Sequence, residues 1–269
     1  MKRSIKIGAT SYDISSDDAY LRDMPPEFEP DMVDLFASLI TPQMVVADVG
    51  ANIGMTALLF SDLARKVYAF EPSPSTFALL SENLAAAGKS NIELCNLGLG
   101  DQPQSQTITF SNNNRSGGFV SQHIQPVVGY TTENIEISTL DWFFSAKDQR
   151  PDFIKMDVEG FEPHVIRGGR SLLAAQKPVV VLELNHFCLN VLQRVTLPDF
   201  FDLLRSVFPV LIAVNQGNLL MADLHNADMA YNVMHAHVTR FAFPNIVAGF
   251  DPALVGKLAA LAQKAQAGV

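Results

Sequence analysis

The sequence has few of the features that mark secreted, membrane-spanning or nucleic-acid-binding proteins. Its 269 residues include two cysteines, Cys95 and Cys188, which lie far apart and show no spacing pattern. We therefore expect two buried thiols in a reducing compartment. Lys and Arg number 19 against 28 Asp and Glu, a net charge of −9. This balance argues against a dedicated nucleic-acid binder, because phosphate contacts need a basic face.

Long apolar runs are also missing. No stretch of about 20 residues is free of both charges and helix breakers, so we predict no membrane span. The basic start, MKRSIKIGAT, is followed by no apolar run. We therefore expect no secretory signal, and the cytoplasm is the expected location. Apolar residues nevertheless make up 48% of the chain, enough for a sizeable core.

From residue 44 onward, short apolar runs alternate with helix-like segments. The alternation predicts βαβ crossovers and a mainly parallel sheet with helices on both faces. A closing pair, VLIAVN and NLLMAD, flanks QG, and so short a turn joins only antiparallel strands. We predict an α/β, Rossmann-like fold of about seven strands, the last one antiparallel. The predicted strands are 44–49, 66–71, 91–97, 152–158 and 178–185, and the predicted helices are 31–40, 55–64, 74–88, 162–176, 197–208 and 251–267.

The segment between residues 104 and 138 has a different pattern. SQTITF and NIEIST alternate like strands, and SIKIGATSYDI near the start predicts one or two more. The two runs flank residues 111–131, a polar stretch rich in Asn and Gly. A long loop inside a compact domain is usually functional or mobile. It could be a lid over a substrate or a disordered surface loop, and both alternatives stay open.

The stretch VVADVGANIG, residues 45–54, predicts a strand, a tight turn and the start of a helix. It lacks the G-x-G-x-x-G of dinucleotide sites, since Asn52 replaces the middle glycine, and it lacks the Gly-Lys-Ser/Thr of a P-loop. Both absences weaken a phosphate site. Backbone N–H groups at a helix N-terminus suit a carboxylate, and Asp48 suits an ammonium group. An amino-acid zwitterion presents both groups.

Two further strand ends extend this prediction. Glu71 lies about 20 residues past the turn, where an acidic residue typically binds the two hydroxyls of a ribose. NLGLGD, residues 96–101, is a small-residue turn against which a flat ring could lie. An amino acid, a ribose and a flat ring in that order describe S-adenosylmethionine (SAM). Each signal alone has a structural alternative, in which Gly50 and Gly54 serve helix packing and Glu71 caps a helix.

Six elements, in order over residues 44–185, carry a family resemblance: DVGANIGMT, AFEPSPSTFALLSENL, NLGLGD, ISTLDWFF, DFIKMDVEGFEPHVIRGG and VVVLELN. They resemble the FkbM family of SAM-dependent methyltransferases, a branch of the class I Rossmann-like methyltransferases. The resemblance implies methyl transfer to oxygen, often to hydroxyls of sugars, glycans, glycolipids or polyketide-type products. The expected cofactor-binding residues are Asp48, Gly50, Asn52, Gly54, Thr56, Glu71, Pro72, Ser73, Gly98, Leu99 and Asp157.

A hydroxyl is a weak acid, so a base or a metal should lie at the ends of the fourth and fifth strands. Asp157 and Glu159 end the fourth strand, and Glu183, Asn185 and His186 end the fifth. We predict Asp157, Glu159 and His186 as catalytic residues. As an alternative, Asp157, Glu183 and Asn185, with Glu159 nearby, offer the oxygen ligands that Mg²⁺ prefers. In a third, structural alternative, the acids cap helices or pair with basic neighbours, Lys155, Arg167 or Arg170.

The remaining predictions concern the domain organisation and the C-terminal part of the chain. We predict a single domain over 1–269, with an N-terminal extension and first helix (1–43), a SAM-binding core (44–225) and an acceptor-side segment with a final helix (226–269). His235 and His237 have a spacing that could bind a metal on a strand, but such histidines, like His225, are more often core or surface residues. Three aromatic residues nearby belong to the core or to an acceptor pocket: Tyr231, Phe241 and Phe243.

Together these features predict an O-methyltransferase that moves a methyl group from SAM to a sugar, glycan or glycosylated natural product. Its partners would be SAM and the hydroxylated acceptor, without nucleic acid, and a homodimer is left open. A methyltransferase for a peptide or another small natural product is the first alternative. An NAD-binding oxidoreductase and a non-enzymatic binding module with the same fold are the others.

Overall fold

The structure is a computed structural model that describes residues 1–215 and 220–267. Its strands are β1 (Lys2–Ile7), β2 (Thr10–Ser15), β3 (Val45–Val49), β4 (Lys66–Phe70), β5 (Ile92–Cys95), β6 (Gly98–Leu99), β7 (Gln104–Ser111), β8 (Asn114–Val120), β9 (Tyr130–Ser138), β10 (Phe153–Met156), β11 (Val179–Glu183), β12 (Val210–Val214), β13 (Met221–Asp223) and β14 (Asn245–Gly249). Its helices are α1 (Pro30–Leu39), α2 (Met55–Leu63), α3 (Pro74–Ala86), α4 (Leu140–Ser145), α5 (Glu162–Gly168), α6 (Arg170–Gln176), α7 (Leu197–Arg205), α8 (Ala227–Arg240) and α9 (Ala253–Ala267), with a π-helical turn at Cys188–Leu192.

The main sheet of the described residues has eight strands in the order β13-β12-β14-β11-β10-β3-β4-β5. The five strands from β11 to β5 are all parallel. This confirms the α/β, mainly parallel sheet that the alternating sequence predicts. Because parallel strands end at the same edge, the segments that follow β3, β4, β5 and β10 lie side by side, which is where ligands bind in such sheets.

Antiparallel strands close the sheet, as predicted, but the last strand of the chain, β14, was not anticipated. β14 is inserted between β11 and β12 and is antiparallel to both. The sequence placed the closing strand at NLLMAD instead. Residues 221–223 of that stretch form the edge strand β13, antiparallel to β12, and residues 218 and 219 lie outside the described part of the chain.

The strands are buried on both faces because the side chains alternate between two hydrophobic cores. In β3, Val46 packs into the core that contains α1, α2 and α9, whereas Val45 and Ala47 pack into the core that contains α4 to α8. This two-sided burial explains why the strands read as continuous apolar runs in the sequence. The two cysteines are buried and free of disulfides, as expected.

A second sheet of four strands, β6-β9-β7-β8, lies beside the parallel edge. The prediction of an irregular loop over 111–131 was wrong for residues 114–120, which form β8 and pair with β7. The polar, glycine-rich composition of this hairpin hides the pairing, since β8 has a single fully buried residue, Val120. Residues 121–129 contain no strand or helix.

Of two further elements, the histidine segment differs from the prediction and the N-terminal hairpin agrees with it. Residues 227–240 form α8, so the strand geometry considered for the two histidines does not exist: His237 is buried and His235 is exposed. At the N-terminus, β1 and β2 form the predicted hairpin, which Asn83 of α3 ties to the core through bonds to Ser15 and Ile53. Across the described residues, no helix has the length and apolar character needed to cross a membrane.

Candidate active site

The turn after β3 passes tightly against the end of β10. Gly50 has a φ of 85°, and a Cβ atom there would lie 1.9 Å from the carbonyl oxygen of Asp157, so only glycine fits. Gly50 and Ala51 donate their backbone N–H groups to Phe70, and Gly54 donates to Ala51. These three donors are therefore engaged within the protein, which leaves fewer backbone groups for a ligand than the sequence suggested.

Behind the turn lies a buried charge network. Asp48 is fully buried, accepts a hydrogen bond of 2.6 Å from the Thr56 hydroxyl, and lies 3.6 Å from the Lys155 ammonium group. Lys155 also donates to the Gly50 carbonyl (2.9 Å) and pairs with Asp157 (3.4 Å). Burial opposes the charge of Lys155, but Asp157 and Asp48 outweigh it and raise the lysine's pKa. Asp48 thus stabilises the turn from its buried side. The pairing of Asp157 with Lys155 agrees with the structural alternative, in which these acids pair with basic neighbours.

Glu71 follows β4 and connects the turn to the start of α3. It is 6% exposed, and its carboxylate accepts hydrogen bonds from the backbone N–H groups of Asn52 (3.0 Å) and Ser73 (2.9 Å). Burial raises the pKa of Glu71 to about 7, although these two bonds favour the charged form. Each carboxylate oxygen keeps a lone pair beyond its backbone bond, and the side chain faces a cavity.

That cavity and a neighbour form one cleft at the carboxyl ends of the parallel strands. The larger, about 320 Å³, extends from Glu71 to the end of β5, and the smaller, about 220 Å³, lies between the β3–α2 turn and β11. Six residues line both cavities and form their junction: Tyr20, Glu29, Gly50, Asn52, Asp157 and Glu183. All predicted cofactor-binding residues line the cleft except Asp48, which lies behind it.

One wall of the larger cavity is apolar, and sequence reasoning did not include it. β7, β8 and β9 of the second sheet form, with Phe161, a small hydrophobic cluster beside the Gly98–Leu99 segment, which pairs with β9. The alternation in TITF and IEIS was the available signal, because its apolar residues, Ile108 and Phe110 in β7 and Ile135 and Ile137 in β9, are buried. The wall consists of Ile108, Phe110, Val120, Ile135, Ile137 and Phe161.

Carboxylates gather at the other end of the cleft. One oxygen each of Asp157, Glu159 and Glu183 lies within 4.8 Å of the others. Glu159 has a left-handed backbone, φ 51°, and its carboxylate accepts a bond of 3.2 Å from the Cys188 thiol. Burial, reinforced by Asp157, raises the pKa of Glu159 to about 7. Burial also raises the pKa of Glu183, one of whose oxygens is buried without a hydrogen-bond partner.

Two residues predicted for the acceptor side do not line this cleft. The Asn185 side-chain oxygen accepts a bond of 3.2 Å from the backbone of Cys188. The His186 ring packs 5.0 Å from His237 and 6.0 Å from Phe241, and it lines a separate groove beside α8. The structure therefore brings Asp157, Glu159 and Glu183 together but leaves His186 outside the cleft.

The N-terminal extension reaches the cleft, which no motif indicated. Tyr20 and Glu29 line both cavities. Glu29 has an unusual positive φ of 31° and directly precedes α1, whose first residue is Pro30. The only sequence signal was the Glu-Pro pair at the start of the first helix.

The order of these elements along the chain matches a known domain. A model of the methyltransferase FkbM domain matches residues 48–207, more than half of the sequence. The chain belongs to the FkbM methyltransferase family. The family expected from the motifs is confirmed, and the matched region contains Glu71, Asp157, Glu159 and Glu183, whereas Tyr20 and Glu29 precede it.

Individual FkbM relatives are more distant. The hexuronic acid methyltransferase AglP of Haloferax volcanii is 30% identical over 162 residues, which cover 57% of this chain and 61% of that protein. Methyltransferase 1 of Beauveria bassiana is 28% identical over 145 residues, covering 46% and 57%. The chain thus spans about three fifths of the length of these curated relatives. A crystal structure of a methyltransferase FkbM from Methylobacillus flagellatus KT has a TM-score of 0.49 at 16% identity, covering 79% of this chain and 47% of that one.

Proposed function

We propose that the chain is a SAM-dependent O-methyltransferase that methylates a hydroxyl of a sugar or glycan. The observation that carries the proposal is the alignment of three different surfaces along one cleft. Glu71 at the end of β4 offers lone pairs to a diol, the Gly98–Leu99 segment faces an apolar wall, and the β3–α2 turn meets the carboxylates of β10 and β11. These surfaces complement a ribose, an adenine ring and a cationic amino-acid end, in that order.

The residues present fit SAM. Glu71 is held in place by Asn52 and Ser73, so it would accept hydrogen bonds from ribose hydroxyls without rearranging. Gly98, Leu99, Ile137 and Phe161 line the part of the larger cavity beyond Glu71, where the adenine ring would lie. SAM, when bound, supplies an electrophilic methyl group on a sulfonium. The chain's own contribution is to align the acceptor and to take the proton from its hydroxyl.

Glu159 is the proposed general base. Its pKa of about 7 lies near neutral pH, where about half of the carboxyl is ionised and can accept a proton. The Cys188 thiol orients one carboxylate oxygen, and the left-handed backbone fixes the side chain's direction. Asp157 raises the basicity of Glu159 through charge repulsion.

The same carboxylates support a second means of activating the acceptor. The oxygens of Asp157, Glu159 and Glu183 are close enough to ligate one Mg²⁺, which would lower the pKa of a bound hydroxyl. Asn185, the other predicted ligand, already bonds the backbone of Cys188. We therefore place the general base first and keep the metal as the alternative that the experiment decides.

The sugar acceptor is supported by the AglP relative, whose name specifies a hexuronic acid. The test is a screen of glycosides, peptides and other hydroxylated products with SAM, read by mass spectrometry as a gain of one methyl group. Methylation of peptides alone would contradict the proposed acceptor class. The identified acceptor then serves all kinetic experiments.

Substitution of Glu159 by Gln tests the base. We expect kcat to fall by about 10²-fold or more, because general-base catalysis typically contributes that much, while binding of S-adenosylhomocysteine (SAH) is unchanged. Glu82→Gln, at an exposed position on α3, is the matched control. Full activity after treatment with EDTA would rule out activation of the acceptor by a metal. Activity that is lost with EDTA and restored by Mg²⁺ would instead show that a metal, and not Glu159 as a base, activates the acceptor.

A further inference from the structure

The N-terminal segment of residues 16–29 is built into the cleft although it precedes the family-matched region. Tyr20 and Glu29 stand at the junction of the two cavities, together with Gly50, Asn52 and Asp157. A cofactor whose ribose lies at Glu71 extends toward this junction with its amino-acid end. The segment therefore lies where the amino-acid end of such a cofactor would be.

Several bonds hold the segment in this position. The Arg115 guanidinium binds Asp17 with two bonds of 2.8 Å and also donates to Ser75 at the start of α3. The backbone N–H of Arg115 donates to Asp18 (2.7 Å). From the other side, Arg3 donates to the carbonyl groups of three residues of the segment, Leu21, Arg22 and Met24. The position of the segment is thus set by the second sheet and the β1–β2 hairpin.

The end of the segment is equally fixed. Residue 28 pairs with β1, since its backbone N–H donates to Lys6 (2.8 Å), and Pro30 begins α1. Glu29 lies between these two anchors and has little freedom to move its backbone. The fold therefore holds the Glu29 side chain at the junction of the two cavities.

The junction has an excess of negative charge. Three carboxylates line both cavities, those of Glu29, Asp157 and Glu183. Among the described residues that line the cleft, the two basic side chains are Lys155, already shared between Asp48, Gly50 and Asp157, and Arg115, already bound to Asp17.

Burial without a free cation is costly for a carboxylate. This cost applies to Glu183, which has one buried oxygen without a partner. Glu29 is more exposed, but desolvation of its carboxyl and the charge of Asp157 still raise its pKa despite the opposing effect of Lys155. A cationic ligand group at the junction would relieve this cost. The amino-acid end of SAM carries such a group, its ammonium.

We propose that Glu29, together with Asp157, binds the ammonium group of the cofactor, so that the N-terminal segment is a part of the SAM site. This inference rests on the proposed function, since it takes SAM as the ligand of the cleft. It adds a binding residue 19 positions before the matched region begins at residue 48.

The test compares two ligands by calorimetric titration of the full chain. SAH carries the ammonium group, whereas 5′-methylthioadenosine has the same adenosine and sulfur without the amino-acid end. We expect Glu29→Gln to weaken SAH binding by about tenfold or more, the loss of one charged hydrogen bond, and to change the affinity for methylthioadenosine by less than about twofold. Glu27→Gln, two residues away at an exposed ion pair with Lys6, should change neither affinity.

Glu29→Asn serves as a second variant, because Asn adopts a left-handed backbone more readily than Glu and preserves the fold. SAH affinity equal to wild type in both variants would overturn the role of Glu29 and leave the proposed function intact. An equal loss of affinity for both ligands would also overturn it, because the effect would then not depend on the ammonium group. Failure of the wild type to bind SAH would overturn the proposed function as well.

Discussion

Substitution of Glu71 by Gln should make the protein more stable and a poorer binder of its cofactor. The pKa of Glu71 is about 7 instead of the ordinary 4.5, because burial disfavours the charged form. A shift of this size corresponds to about 3 kcal/mol. The carboxyl stabilises the fold fully only below its unfolded pKa, and this contribution is lost as the pH rises through 7. Gln cannot ionise and suffers no such loss, but its NH2 group leaves one of the two backbone N–H donors, that of Asn52 or Ser73, without an acceptor, which costs about 1 kcal/mol or more.

At pH 8 we therefore expect Glu71→Gln to raise the free energy of unfolding by up to about 2 kcal/mol. This gain should disappear as the pH is lowered to 5, where the lost acceptor leaves the variant less stable than wild type. The same change removes a charged acceptor for the ribose hydroxyls, worth about 1.5–3 kcal/mol, so SAH should bind at least tenfold more weakly. Denaturant unfolding at both pH values and calorimetry measure the two effects. Glu82→Gln, exposed on the same helix that Glu71 precedes, should show neither.

The two effects have opposite signs, which separates a binding residue from a structural one. If Glu71 served only to hold Asn52 and Ser73, the Gln variant would be less stable at pH 8 and SAH binding by the folded protein would be unchanged. That result would refute the assignment of Glu71 to the ribose. It would also show that the two backbone bonds outweigh the cost of burying the charge.

Two further substitutions test the construction of the cleft. Gly50→Ala should lower the free energy of unfolding by roughly 3 kcal/mol or more, because its Cβ would collide with the Asp157 backbone. Gly88→Ala is the control and should lower it by about 1 kcal/mol for its positive φ alone, since nothing lies near its Cβ. Equal costs in denaturant unfolding would contradict the close approach. Arg115→Ala should speed tryptic cleavage after Arg22, because the segment loses its bonds to the guanidinium. Arg65→Ala, at an exposed position, is the control, and unchanged cleavage in Arg115→Ala would refute the anchoring role.

The parallel half of the fold was predictable because its signals are local. Each strand is a short apolar run buried on both faces, and each following helix has a clear start, such as Ser73, whose side chain accepts a bond from the Thr76 backbone. The carboxyl ends of such strands share one edge, so the positions of Glu71 and Asp157 near each other followed from the order of the motifs.

The missed elements depend on long-range packing. β14 is a run of five residues that becomes a central strand only by inserting between β11 and β12, and nothing local distinguishes it from a buried loop. Glu29 enters the cleft because Arg115 and Arg3 hold a segment with no periodicity of its own. Conversely, Asp48 was expected to face the ligand, but Lys155, more than 100 residues away, draws its carboxylate into the buried network.

The assignment of the cleft to SAM is tested most directly by a calorimetric titration of the wild-type protein with SAH, and by a parallel titration with NADH. We predict that one SAH binds per chain, that SAM displaces it, and that NADH produces no heat of binding. No binding of SAH, or binding of NADH in its place, would contradict the assignment of the cleft to SAM.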